Sequence, residues 1–151
     1  MTARIEADAW RVHLLETPQQ IKGLLDNTRR IAVLGIKPGP AQPAYYVPEY
    51  AQQAGYEMVP VPVYYKELTE MHGEKVYRKL VDIPGDIDMV NVFRRPTDIP
   101  PHVEDIIAKK PKSVWFQLGI RNDAAAEKLA RAGIDVVQDR CLLVELRRIG
   151  R

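Results

Sequence analysis

The sequence predicts an α/β protein: a Rossmann-like, doubly wound parallel sheet of five strands, order 3-2-1-4-5, with helices on both faces. Three observations predict it. Short apolar runs alternate along the chain with segments whose apolar residues recur at helical spacing. The runs are continuous rather than alternating, so each strand is buried on both faces, as in a parallel sheet covered by helices. Right-handed crossovers then leave few topologies.

The first helix is expected over 18–26, PQQIKGLLD, capped by Thr17 with Pro18 in its first turn. The run RIAVLG, 30–35, reads as the first strand. From Pro43 the chain carries Tyr46, Val47, Tyr50, Ala51 and Ala54 at helical spacing, and Gly55 stops it. YEMVPVPV, 56–63, is a second strand whose prolines place it at a sheet margin. Residues 64–86 are polar and irregular, with at most a short element around Val76–Leu80. DMVNVF, 88–93, is the third strand. A helix opened by Pro100 and Pro101 turns Val103, Ile106 and Ile107 inward and ends at Lys109, Lys110 and Pro111. SVWFQLG, 113–119, is the fourth strand. Asn122 and Asp123 cap a helix that stops at Gly133. IDVVQ, 134–138, is the fifth strand, and CLLVELRRI, 141–149, is a terminal helix with its arginines at the favourable end.

A length of 151 residues fits one domain, and no linker divides the chain. We expect a single domain over 1–151, with residues 1–16 as an N-terminal extension. Apolar runs fall far short of the roughly 18 residues of a membrane span. The first ten residues lack the apolar core of a secretory signal. One cysteine, Cys141, excludes an internal disulfide and fits a cytoplasmic setting. A formal charge of +2, with basic and acidic residues interspersed, gives no argument for nucleic acid.

The stretch IAVLGIKPGPAQP, 31–43, carries the functional argument. In such a sheet, ligands bind beyond the carboxyl ends of the strands, where the order reverses. There Gly35 permits close backbone approach, and Gly39 is expected at positive φ. Pro38, Pro40 and Pro43 stiffen the turn, and Ile36 and Lys37 lie within it. The helix that follows offers N–H groups and a positive dipole end, so the loop reads as an anion seat to which Lys37 adds charge. The pattern is neither G-x-G-x-x-G nor a P-loop. No acidic residue ends the second strand to hold an NAD ribose; that strand runs into VYYKE. The third strand ends FRRP, where arginine can grip phosphate or stack on a base. The fourth offers Gln117 as a hydrogen-bonding group, with Trp115 and Phe116 in the core. After the fifth, Asp139 and Arg140 are expected to pair, and Cys141 to be a small buried hydrophobe. His13, His72 and His102 lie in polar, exposed segments without metal-ligand spacing. Ser113, the only serine, sits at the wrong end of a strand for a nucleophile. No catalytic pair or triad is legible.

Taken together, IAVLGIKPGPAQPAYYV, GYEMVPV, HGEKVYRKLVDIPGDIDMVNVFRRP, VWFQLGI and DVVQDRCLLVE resemble the small stand-alone CoA-binding proteins. These are similar to the N-terminal domain of the succinyl-CoA synthetase α subunit. The resemblance spans about residues 17–149. It implies a Rossmann-like domain that binds coenzyme A or an acyl-CoA through its ADP part. The loop Gly35, Ile36, Lys37, Pro38 to Pro43 would take the phosphates, with Ala44 and Tyr45 at the helix start. Pro62 to Lys66 would flank the adenosine. Phe93 and Arg94, with Gln117 to Gly119, would line the rest. Two positions depart from the family pattern. Pro62 stands in P-V-P-V where an asparagine is common, and Ala44 offers no hydroxyl. The ligase chemistry of the synthetase belongs to a domain that this sequence does not contain. The leading expectation is therefore a CoA-binding protein without catalysis of its own, presenting its ligand to a protein partner or acting as a homo-oligomer. Two others stay open: a nucleotide- or CoA-dependent transferase or oxidoreductase subunit completed by a partner, and an interaction module that has lost its ligand.

Overall fold

The computed structural model describes residues 8–151. Five parallel strands form one sheet: β1 (Arg30–Leu34), β2 (Glu57–Val61), β3 (Met89–Val92), β4 (Ser113–Phe116) and β5 (Asp135–Val137). Their helices are α1 (Pro18–Asp26), α2 (Pro43–Gln53), α3 (Val103–Lys109), α4 (Asp123–Arg131) and α5 (Leu142–Arg148). The Rossmann-like architecture with helices on both faces is as expected.

Side-chain alternation divides the core in two. Ala32, Leu34, Val90, Val92, Val114, Phe116 and Val136 meet Val103, Ile106 and Leu129 of α3 and α4 on one face. Ile31, Val33, Met58, Met89, Trp115 and Val137 meet Ile21, Leu25, Val47, Ala51, Leu142 and Leu146 of α1, α2 and α5 on the other. Both parities are buried, which is why the strands read as unbroken apolar runs.

In chain order the five strands lie 2-1-3-4-5. The strand at 89–92 therefore sits beside β1, not outside β2 where the expected order put it. The place beyond β2 is taken by a short segment that reads as irregular. A two-residue hairpin, Glu70–Met71 against Glu74–Lys75, leads into a run whose Tyr77 N–H donates to the Pro60 carbonyl at 3.0 Å. Counted through this segment, the order begins 3-2-1-4-5. Pro60 has no N–H to offer, and β2 is the margin of the five-stranded sheet, as its prolines foretold.

Residues 8–16 of the extension dock on the domain; residues 1–7 lie outside the described residues. Ala9–His13 forms a 3-10 turn, His13 Nδ1 lies 2.8 Å from Asp135 Oδ1, and the Leu15 N–H donates to the Val136 carbonyl at 2.9 Å. No described helix is long and apolar enough to cross a membrane.

Candidate functional site

β1 ends at the reversal of the sheet, where α2 departs to one face and the chain after β3 to the other. Gly35 follows β1 with φ 89°, its N–H on the Val61 carbonyl at 2.9 Å. A Cβ here would fall inside van der Waals contact with the Phe93 carbonyl, and 3.2 Å from Arg94 Cδ. Glycine is thus required by position and by conformation. Gly39, expected at positive φ, is not among the residues that adopt it. The prolines on either side shape that turn without it. The loop is closed by a bond from the Lys37 N–H to the Ala44 carbonyl at 3.2 Å.

The loop delivers the chain to α2. Its cap residue, Gln42, makes no side-chain bond to the helix, Pro43 opens the first turn, and no acid stands there. The other four described helices each carry a side-chain cap or a first-turn acid: the Thr17 capping box, Glu104 and Asp105, Asn122 with Asp123, and Glu145. The positive end of α2 is left uncompensated.

Gly35, Ile36, Lys37, Phe93 and Arg94 line one cleft of about 310 Å³, together with Val63, Tyr64, Arg95 and Asp98. The two adjacent arginines differ. The Arg94 side chain is 14% exposed and that of Arg95 80%: Arg94 packs beside Gly35, while Arg95 pairs with Asp98 at 3.0 Å. Arg94 Nη1 donates to the Tyr64 hydroxyl at 3.4 Å, its guanidinium stacks 5.4 Å from the Tyr64 ring, and Nη2 lies 3.9 Å from Asp98. Its Nε is buried without a partner. The bond from Arg94, then its charge, holds the Tyr64 hydroxyl below the usual phenol range. His102, half-buried nearby, is held below its ordinary value by burial first and by the Arg94 charge second.

The other predicted residues are not among those that line this cleft. Pro38 is in the loop, and Pro43, Ala44 and Tyr45 form the first turn of α2. Pro62 is buried at the end of β2, and Lys66 is exposed on the following loop. Gln117 is buried, and its Oε1 accepts from the Leu142 N–H at 3.3 Å and from Asn91 Nδ2 at 3.4 Å. It braces the start of α5. Gly119 is exposed, at φ 82°, with its N–H on Asp139 Oδ1 at 2.6 Å. That contact replaces the expected Asp139–Arg140 pair: Arg140 turns instead to Glu145 at 3.7 Å and to the Glu16 carbonyl. His72 was expected to be exposed. Its side chain is 4% exposed, because the hairpin lays it edge-on against Tyr45 with ring centroids 4.4 Å apart. Cys141 packs at the margin of the core. Tyr64 and Asp98 are the residues that sequence reasoning missed. Asp98 has a signal, four places after Arg94; Tyr64 has only its place in VYYKE.

A larger cleft, about 740 Å³, lies at the β5 edge between residues 10–16 and α4. Its arginines are engaged: Arg11 with Asp8, Arg121 with Asp123, Arg140 with Glu145. The smaller cleft joins a buried unpartnered guanidinium nitrogen to a glycine with no room for a side chain, on the loop that leads into the uncapped α2. Those features fit a polyphosphate ester. Among the described residues no cluster of His, Cys, Asp and Glu could hold a metal ion.

Comparison with known proteins agrees with this geometry. The model of the CoA binding domain family matches residues 29–147. The chain is 35% identical to the Bacillus subtilis protein YneT over 125 residues, 83% of this chain and 90% of that one. A Thermus thermophilus protein of solved structure superposes with a TM-score of 0.82 at 37% identity, covering 89% of this chain and 99% of that one. A Ca. Korarchaeum cryptofilum acetyl-coenzyme A synthetase matches with a TM-score of 0.64 over 74% of this chain and 26% of its own; at 19% identity the likeness is one of fold. The chain belongs to the CoA binding domain family.

Proposed function

We propose that the protein binds coenzyme A or an acyl-CoA through its ADP moiety at the carboxyl end of the sheet, without catalysis of its own. The observation that carries this reading is the cleft that Gly35, Ile36 and Lys37 share with the Arg94 guanidinium, whose Nε is buried without a partner, on the loop that leads to the uncapped N-terminus of α2. The ligand supplies several negative charges. The chain supplies the backbone N–H of Ala44 and the cations of Lys37 and Arg94, with Tyr45, whose own N–H donates to the Gln42 carbonyl at 2.9 Å, beside them at the helix start. Lys66 brings a further cation on the loop that would flank the adenosine with Pro62. Phe93, Gln117 and Gly119 would border the path of the pantetheine arm. Backbone donors suffice where Ala44 lacks a hydroxyl. The ligand would be held for presentation to a partner protein in the cytoplasm.

A thermal-shift series with CoA, dephospho-CoA, acetyl-CoA, NAD and ADP tests this. A ligand at about 100 times its Kd adds roughly 2.7 kcal/mol of stability. A shift with CoA that weakens with dephospho-CoA is the expected result. A shift with NAD alone would replace this reading by an oxidoreductase one. A flat response, from protein that mass spectrometry finds free of co-purified CoA, would overturn it.

A further inference from the structure

Tyr64 reaches the cleft from a loop, Pro62 to Leu68, that has little backbone bonding of its own. The Leu68 N–H donates to the Tyr65 carbonyl at 3.0 Å. Tyr65 is held at φ 62°, a conformation that a bulky residue keeps only when its surroundings impose it. Four of the loop's carbonyls converge on one side chain. Arg78 Nη1 donates to the Pro62 carbonyl at 3.4 Å and to that of Tyr64 at 3.0 Å. Its Nη2 donates to the carbonyls of Tyr65 at 2.7 Å and Leu68 at 2.9 Å. Arg78 does not line the cleft. It follows Tyr77, whose N–H is fastened to Pro60 of β2, so the guanidinium is referenced to the sheet edge. Only a planar fork of fixed donors can serve four carbonyls at once; an ammonium is a point.

We infer that Arg78 is a positioning residue of the ligand cleft. Through the loop carbonyls it holds Tyr64 against Arg94, so that this wall has its binding shape before the ligand arrives. The inference rests on the CoA reading above for its ligand, and on the hydrogen bonds alone for its effect on the loop.

The experiment uses the full chain with Arg78→Ala and Arg78→Lys, calorimetric titration with CoA, and amide hydrogen exchange. Arg78→Ala is expected to weaken CoA binding about fivefold or more, with Arg78→Lys giving little recovery and millimolar guanidinium ion restoring most of it. Exchange at residues 63–68 is expected to quicken about tenfold while that in β1 and β3 does not change. In a Tyr64→Ala background, Arg78→Ala should then add almost nothing to the loss of affinity. Wild-type affinity in Arg78→Ala within about twofold, or losses that simply add in the double variant, would overturn the inference. Should the wild-type chain not bind CoA, the functional reading fails and the exchange measurement decides alone: faster exchange at 63–68 supports Arg78 as the holder of the loop, and unchanged exchange overturns it.

Discussion

Gly35 and Phe93 touch at the reversal of the sheet with no space for a side chain between them. A Cβ on Gly35 would enter the Phe93 carbonyl oxygen and lie 3.0 Å from its carbon. The contact is backbone against backbone, so no rotamer change relieves it. It brings the loop after β1 and the strand end that carries Arg94 to one cleft.

Gly35→Ala should destabilise the fold by about 3 kcal/mol, from left-handed strain and the forced shift of β3 together. Urea denaturation reads it as a lower midpoint at unchanged slope. An unchanged midpoint would mean that the loop does not pack on Phe93.

Arg94→Gln and Lys37→Ala should weaken CoA unequally. Loss of a desolvated charged donor costs about 1.5–3 kcal/mol, roughly ten- to a hundredfold in Kd. The Lys37 ammonium, a hydrated point charge on a flexible stem, should cost less, with an effect that shrinks as salt rises. Titration across a salt series, with circular dichroism to verify the fold, checks both. Normal binding in the two variants would sink the site assignment.

Gln117→Ala should act on stability first. Its side-chain oxygen serves the Leu142 N–H and Asn91 Nδ2 in the interior; removing it leaves the Leu142 N–H unpaired at a cost of about 1–3 kcal/mol, while Asn91 Nδ2 keeps the Trp115 carbonyl at 3.3 Å. The expected result is a lower melting temperature with a modest change in affinity. A variant of wild-type stability that no longer binds CoA would instead make Gln117 a direct ligand contact.

His102 gives the stability a pH dependence. Burial and the Arg94 charge lower its pKa in the folded chain. The unfolded chain therefore takes up its proton first, and stability falls as pH drops below about 6.5 until the folded state is protonated too. Asp88 adds a second loss at more acid pH. Burial raises its pKa, but the N–H groups of Arg30 and Arg29 and the Lys112 ammonium outweigh burial and hold the carboxyl below its usual range. Its contribution is present above the unfolded value near 4 and is lost as pH falls through the folded one. His102→Gln should flatten the first slope alone, and Asp88→Asn the second. Melting curves from pH 7 to 3 separate them.

Element type and the loop after β1 were legible in the sequence because each depends on local chemistry. Thr17 and Asn122 make the cap bonds their residue types announce. Buried strands read as apolar runs, and glycine at the end of β1 marks the place where backbones meet. Gly39 misled because a turn bordered by proline can close without positive φ. Asp139 and Arg140 misled because adjacent opposite charges found better partners across the fold.

By itself, then, the sequence determined the strands and helices, their burial on two faces and the glycine- and proline-rich loop that follows β1. Only the tertiary structure decided that the strand at 89–92 pairs with β1, since the segment filling the edge beyond β2 is too short and polar to show a period. It also decided that Gln117 braces α5, that Tyr64 stacks on Arg94 in the cleft, and that Arg78 donates to the carbonyls of the loop that carries Tyr64. These roles rest on partners tens of residues away in the chain. Pairing over such distances is set by packing, which leaves no trace in local spacing.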